Sequence, residues 1–200
     1  MSALNIIETR RSIKHFDSDH AMPDSTFERI LNAAILAPTS FNIQHWRFVR
    51  VKNPLLRQKI REAAWDQEQI TSASELVIVL GNSKAWSENP ERYWKNAPTD
   101  VQGMLVPMLQ QFYLGREWLQ RDEAIRSGAM AAQNIMLAAE EMGYNTSPMI
   151  GIDFDQVAEL INLPDDHVVV MLLAIGKGIQ QAKPRGGQLP LRELLVEDAF

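Results

Sequence analysis

Four short stretches of the chain combine residues able to hold an anion or read the edge of a flat ligand. The first is Arg10-Arg11-Ser12-Ile13-Lys14. In an extended segment Arg10, Ser12 and Lys14 share one direction and Arg11 faces away. Two cations and a hydroxyl are then offered together to a phosphate or another electron-rich group; a solvated basic terminus has the same composition. The second is Pro38-Thr39-Ser40-Phe41-Asn42-Ile43-Gln44-His45-Trp46. It sets donors and acceptors where a planar ligand could be read with Trp46 packed beneath, or where a loop caps its own backbone. The third is Lys183-Pro184-Arg185. Pro184 restrains the backbone between two cations and Gly186-Gly187 lets the chain turn, as an anion clamp or a basic tail would. The fourth is Ser147-Pro148-Met149-Ile150-Gly151, in which Gly151 permits close backbone approach to a flat ring or simply a tight turn. Trp65, Trp86, Trp94 and Trp118 are candidate aromatic walls, and equally candidates for core or interface.

Several chemistries are excluded. The chain has no cysteine, which removes thiolate nucleophiles, disulfides, Cys-held iron–sulfur clusters and Cys-rich zinc sites. It has no GxGxxG after a strand, no GxxxxGK[ST], no HExxH and no GxSxG. His15, His20, His45 and His167 lack tight ligand spacing, so no dedicated metal site is expected. Lys plus Arg is 20 and Asp plus Glu is 25, a net charge of −5 that argues against broad nucleic-acid binding. The opening MSALNIIETRRSIKHF gains charge too early for a signal peptide. No run reaches the roughly 18 apolar residues of a membrane span. The expected location is the cytoplasm, without a membrane or nucleic-acid partner.

The elements that must position these residues are legible in outline. At 200 residues, 46% apolar and 22% charged, the chain suits one domain spanning 1–200. A helix is expected from Ser25, with Ser25 and Glu28 as a capping box. Phe27, Ile30, Leu31, Ala34 and Ile35 form its apolar stripe and Pro38 its stop. A strand follows from Trp46 to Val51. Asn53-Pro54 starts a helix to about Ala64, and Ile70 to Ser74 forms a short one. Glu75 to Leu80 reads as a buried strand ending at Gly81. Ser83 to Thr99 is an irregular excursion. Asp100 to Leu119 is helical with interruptions at Pro107 and Gly115. Ile125 to Met142 is an alanine-rich helix closed by Gly143. Tyr144 to Ile152 reads as a loop carrying an extended piece, Phe154 to Ile161 as a helix, and Val168 to Ile175 as a second apolar strand. Leu189 to Val196 is short and amphipathic. Helices alternating with a few strands give an α/β or α+β class. The tail after Gly178 is too small for a core of its own, so it lies on its own domain or crosses to a partner.

RRSIKHF, APTSFNIQHWRF, SPMIG, an apolar strand ending AIGKG, and KPR follow one another in this order. Together they resemble the FMN-dependent nitroreductase family over essentially the whole chain. The nearest likeness is to its small bacterial branch with a Ser-Pro-Met-Ile-Gly loop, described as NAD(P)H nitroreductases or quinone-responsive oxidoreductases. The resemblance implies an α+β fold with a mostly antiparallel sheet flanked by helices. It also implies an intertwined homodimer holding FMN at the interface, with 179–200 crossing between subunits. Carried onto this chain, Arg10 and Ser12 lie toward the FMN phosphate, Arg11 beside them, and Lys14 toward the ring. Lys183 and Arg185 complete the phosphate clamp. Pro38, Thr39, Ser40 and Asn42 line the flavin from the partner subunit. Asp66 and Gln69 fall where relatives place an Asn and a Lys or Gln against the ribityl chain and pyrimidine edge. Pro148, Met149, Ile150 and Gly151 line the ring. Two departures stand out: Ile150 where the well-studied branch has Glu, and Asp66 where Asn is frequent. The implied activity is ping-pong electron transfer from NADH or NADPH to a nitroaromatic, quinone or similar acceptor. No catalytic side chain is required. Divergent relatives sequester FMN, degrade flavin or dehalogenate, and the resemblance alone does not separate these tasks.

Overall fold

Two apolar runs occupy the middle of the sheet because both of their faces are covered. They are β2 (Glu75–Asn82) and β4 (His167–Gly176). With β1 (Trp46–Arg50) and β3 (Asn145–Met149) at the edges, the order is β1-β2-β4-β3 and every pair is antiparallel. The computed structural model describes residues 2–200.

The helices are α1 (Ala3–Thr9), α2 (Asp24–Ala34), α3 (Pro54–Glu62), α4 (Gln69–Ser72), α5 (Thr99–Tyr113), α6 (Glu117–Glu141), α7 (Phe154–Leu160) and α8 (Leu191–Leu194). On one sheet face Ile60, Ile70 and Val157 pack against Leu76, Ile78, Leu172 and Ala174. On the other, Phe27, Ile30, Ala132, Ile135 and Ala139 pack against Val77, Val79, Leu173 and Ile175. Val79 opposes Met171 while Leu80 opposes Val169, so β4 carries one extra residue at Val170. That bulge turns Val170 to the same face as Leu173, which strict alternation forbids. Helix α6 lies so close to β2 that a Cβ at Gly81 would stand 2.7 Å from the Ala124 carbonyl oxygen. No helix among the described residues is long and apolar enough to cross a membrane.

Several elements depart from expectation. Helix α1 has one buried residue, Ile6, and therefore no stripe by which to read it. Helix α2 starts after Pro23 without a side-chain cap, so Ser25 and Glu28 form no capping box. It also ends at Ala34, ahead of Pro38. Helix α5 runs unbroken through Pro107. Gly115, at φ 70°, makes the break before α6, and α6 starts eight residues earlier than its alanine face suggests. Residues 145–149 form a true strand; as an edge strand it accommodates Pro148, whose missing N–H disrupts no inner ladder.

The Asn53-Pro54 start of α3 holds as read: the Asn53 side chain accepts from the Leu55 and Leu56 amides at 2.9 and 3.2 Å. Replacing Asn53 with Ala is expected to cost about 1 kcal/mol in chemical unfolding, since it orphans both donors.

Candidate functional site

The turn out of α1 sets up the first cluster. Beyond Thr9 the chain extends alongside edge strand β3, with Ser12 bridging Thr146 and the Ile13 amide donating to the Thr146 carbonyl at 3.0 Å. Buried Ile13 and Phe16 anchor this segment and leave Ser12 and Lys14, on either side of Ile13, exposed. After β4 the tail returns beside it: Phe16 bridges Gly178, and the Ile179 amide donates to the His15 carbonyl at 3.1 Å. Two arginines then fasten the tail. The Arg11 guanidinium donates to the Lys183 carbonyl, and that of Arg185 to the carbonyls of Glu8 at 2.9 Å and Arg10 at 3.4 Å.

A cleft of about 480 Å³ lies between the two segments. Arg10, Arg11, Ser12, Lys14, Lys183 and Arg185 all line it, and no carboxylate does. Arg11 belongs to this cleft although strand alternation directs it away, because the returning tail supplies a wall on that side too. Arg10 has one guanidinium nitrogen, Nη1, buried without a partner. Glu140 on α6 is its electrostatic neighbour. Burial raises the Glu140 pKa, and the Arg10 charge and Asn145 oppose that rise.

The second cluster gathers around the end of β3. Trp65 and Asp66 both have left-handed backbone, at φ 52° and 58°, which makes a tight turn between α3 and α4. The turn brings the Trp65 ring within 2.7 Å of where a Cβ on Gly151 would stand. Gln67 Nε2 donates to the Gly151 carbonyl at 2.9 Å. Buried Gln69 donates to Gln67 Oε1 at 3.0 Å and contacts Met149 Sδ at 3.3 Å. Asp66 is exposed and pairs with Arg61 at 2.7 Å. Pro148 is half-buried, Met149 is buried and Ile150 points outward. Asp66, Gln69 and Met149–Gly151 are thus one neighbourhood. His15 joins it to the basic segment through Glu68 at 3.3 Å.

Pro38, Thr39, Ser40 and Asn42 stand apart from this cleft within the chain. Asn42 Nδ2 donates to the Tyr93 carbonyl at 2.7 Å. The Thr39 hydroxyl lies 3.2 Å from His45 Nδ1 and 2.9 Å from Ser127 Oγ. His45 is fully buried; desolvation, reinforced by Arg47, lowers its pKa to about 4 and keeps the ring neutral. Gln67 and Glu140 were not legible beside these residues, since each is placed by a contact that no local motif encodes.

A two-faced antiparallel sheet whose N-terminal segment and returning tail enclose a cationic cleft defines an α+β class with a positively charged cleft. Residues 7–177 match the Nitroreductase family, and the chain belongs to it. It is similar to "Protein DrgA" of Synechocystis sp., with 48% identity over 200 residues, 98% of this chain and 95% of that one. It is 33% identical to "Putative NAD(P)H nitroreductase MhqN" of Bacillus subtilis, over 96% of both chains. Among solved structures, "a putative nitroreductase in complex with FMN" from Exiguobacterium sibiricum superposes with TM-score 0.90 at 29% identity, covering 98% of this chain and 97% of that one. The nitroreductase-like fold implied by the ordered motifs is therefore the fold observed.

Proposed function

We propose that this chain is an FMN-dependent NAD(P)H oxidoreductase that works as a homodimer. The observation that carries the reading is the acid-free cationic cleft, set in a family with an FMN-bound member. The residues present fit the group. Arg10, Arg11, Lys14, Lys183 and Arg185 bring cationic donors and Ser12 a hydroxyl to one cleft with no carboxylate in its lining, the donor set a phosphate needs. Gly151 lets the Trp65 ring close against the wall, since a Cβ there would stand 2.7 Å from that ring.

In this reading Arg10, Arg11, Ser12, Lys183 and Arg185 hold the phosphate through charge-assisted hydrogen bonds. Lys14 sets a cation toward the ring, where it offsets negative charge gained on reduction. Gln69 and the Pro148–Gly151 wall orient the ring, with Asp66 on the adjoining turn. Pro38, Thr39, Ser40 and Asn42 reach it from a second copy of the chain. When bound, FMN supplies the two-electron exchange between NADH or NADPH and a nitroaromatic, quinone or similar acceptor, the two substrates using one face in turn. The protein's part is binding, orientation and exclusion of water. Dimer formation is supported by exposed Leu4 and Ile7 on α1, by Met104, Met108 and Phe112 on α5, and by the exposed leucine-bearing tail at 189–196.

The test is an anaerobic absorbance spectrum of purified protein before and after NADH and then NADPH, with the size measured in solution. Flavin bands that bleach with either donor, in a dimer-sized particle, are expected. Colourless protein that stays so when FMN is supplied overturns the reading.

A further inference from the structure

The turn carrying Asp66 is held by a residue with no assigned part in the site. The Arg61 carbonyl accepts from the Asp66 amide at 3.0 Å. Its guanidinium bonds Asp66 Oδ1 through Nε at 2.7 Å and Thr71 Oγ1 through Nη1 at 3.1 Å. One side chain therefore grips both ends of the 66–71 segment. The geometry it enforces is costly, because Trp65 and Asp66 are consecutive non-glycine residues in the left-handed region. What the turn delivers is the contact set on the ring wall: the Trp65 ring on Gly151, Gln67 on the Gly151 carbonyl and Gln69 on Met149.

The charge matters as much as the shape. Asp66 is a carboxylate, 78% exposed, on a turn that touches the Gly151 wall, while the Arg61 side chain is only 25% exposed. The other acid on the turn, Glu68, already faces His15. A free carboxylate at this place would repel an anionic ligand and disfavour added negative charge on its ring. The Arg61 guanidinium instead draws the Asp66 carboxylate back toward α3.

We infer that Arg61 is a positioning residue: it retracts and neutralises Asp66 and so keeps the Trp65–Gln69 turn compatible with FMN. This rests on the flavin reading above. It also gives a reason why this chain tolerates Asp where Asn is frequent.

A double-mutant cycle over Arg61→Met and Asp66→Asn tests it, read by FMN affinity in fluorescence-quenching titrations, by midpoint potential, and by thermal unfolding of the apoprotein. In the wild-type background Arg61→Met is expected to weaken FMN binding about tenfold and move the potential negative, from exposure of one uncompensated charge. In the Asp66→Asn background the same change is expected to do clearly less, since only the hold on Thr71 and the turn's shape is then lost. An Arg61→Met effect of equal size in both backgrounds overturns the inference, because Arg61 would then act without Asp66. Lower unfolding temperature with unchanged FMN affinity and potential also overturns it, leaving a purely structural role. Wild-type protein that takes up no FMN sinks the flavin reading and this inference with it, and is seen before any variant is compared.

Discussion

Replacing Arg185 with Ala is expected to weaken FMN binding about 10- to 100-fold, the loss of one charge-assisted phosphate contact of roughly 1.5–3 kcal/mol. Stability should change far less. In the free chain Arg185 donates only to the exposed backbone carbonyls of Glu8 and Arg10, and nothing in the core leans on it. Those exposed bonds are worth at most about 1 kcal/mol in net stability. Isothermal titration of apoprotein with FMN, beside a thermal melt, separates the two effects. Arg185→Lys should recover part of the loss, since it returns the charge without the planar fork. Unchanged FMN affinity in Arg185→Ala rejects the place given to this residue. An equal loss of affinity and stability would instead make Arg185 a strap that only closes the cleft.

How the cleft is built explains what was legible and what was not. The buried strands announce themselves, because Leu76 to Leu80 and Val168 to Ile175 are apolar on both faces. Asn53 caps α3 by a local rule that needs no tertiary context. Arg10, Ser12 and Lys14 could be singled out by type and spacing. What closes the cleft, however, is a pairing between Arg11 and Lys183, 172 residues apart, and no local pattern encodes it. Helix α1 buries one residue and shows no periodicity. Strand β3 is masked by Pro148, which reads as a breaker unless the strand is known to be an edge. The turn at Trp65-Asp66 is invisible for a different reason. Its left-handed backbone is imposed by Arg61, Gln67 and the Gly151 contact rather than by a glycine.

The family resemblance located the Asp66–Gln69 region without explaining it. In physical terms the two departures from the family pattern are adjacent: Asp66 leads the turn and outward-facing Ile150 sits beside Gly151. One adds a carboxylate that a neighbouring arginine withdraws, and the other puts an aliphatic side chain where a carboxylate is found elsewhere. Together they leave the surface beside Gly151 nearly free of uncompensated negative charge.

Acid is expected to destabilise this protein through His45. The sign follows from the direction of its shift. Folding lowers the His45 pKa from 6.5 to about 4, so between those values the unfolded chain binds a proton that the folded chain refuses. Full stability is therefore present above pH 6.5 and is lost as the pH falls toward 4. The penalty accumulated between pH 7 and pH 5 is about 2 kcal/mol from this one group. The structure shows why the ring resists charging. Nδ1 already lies 3.2 Å from the Thr39 hydroxyl and 3.1 Å from that of Ser127. Nε2 is buried with no partner, near the edge-on ring of Tyr113, so a second N–H there would have no acceptor. Arg47 adds a repelling charge. His45→Asn keeps a polar group near the Nδ1 position and removes the titration. Urea unfolding at pH 7 and pH 5 should show the wild-type advantage over this variant shrinking by about 2 kcal/mol as the pH falls. A constant difference across that range would mean that His45 charges freely in the folded state. Because Thr39 is tied to this ring, the loop from Pro38 to Asn42 should loosen first, and its amides should exchange faster at pH 5 than those of β2 and β4.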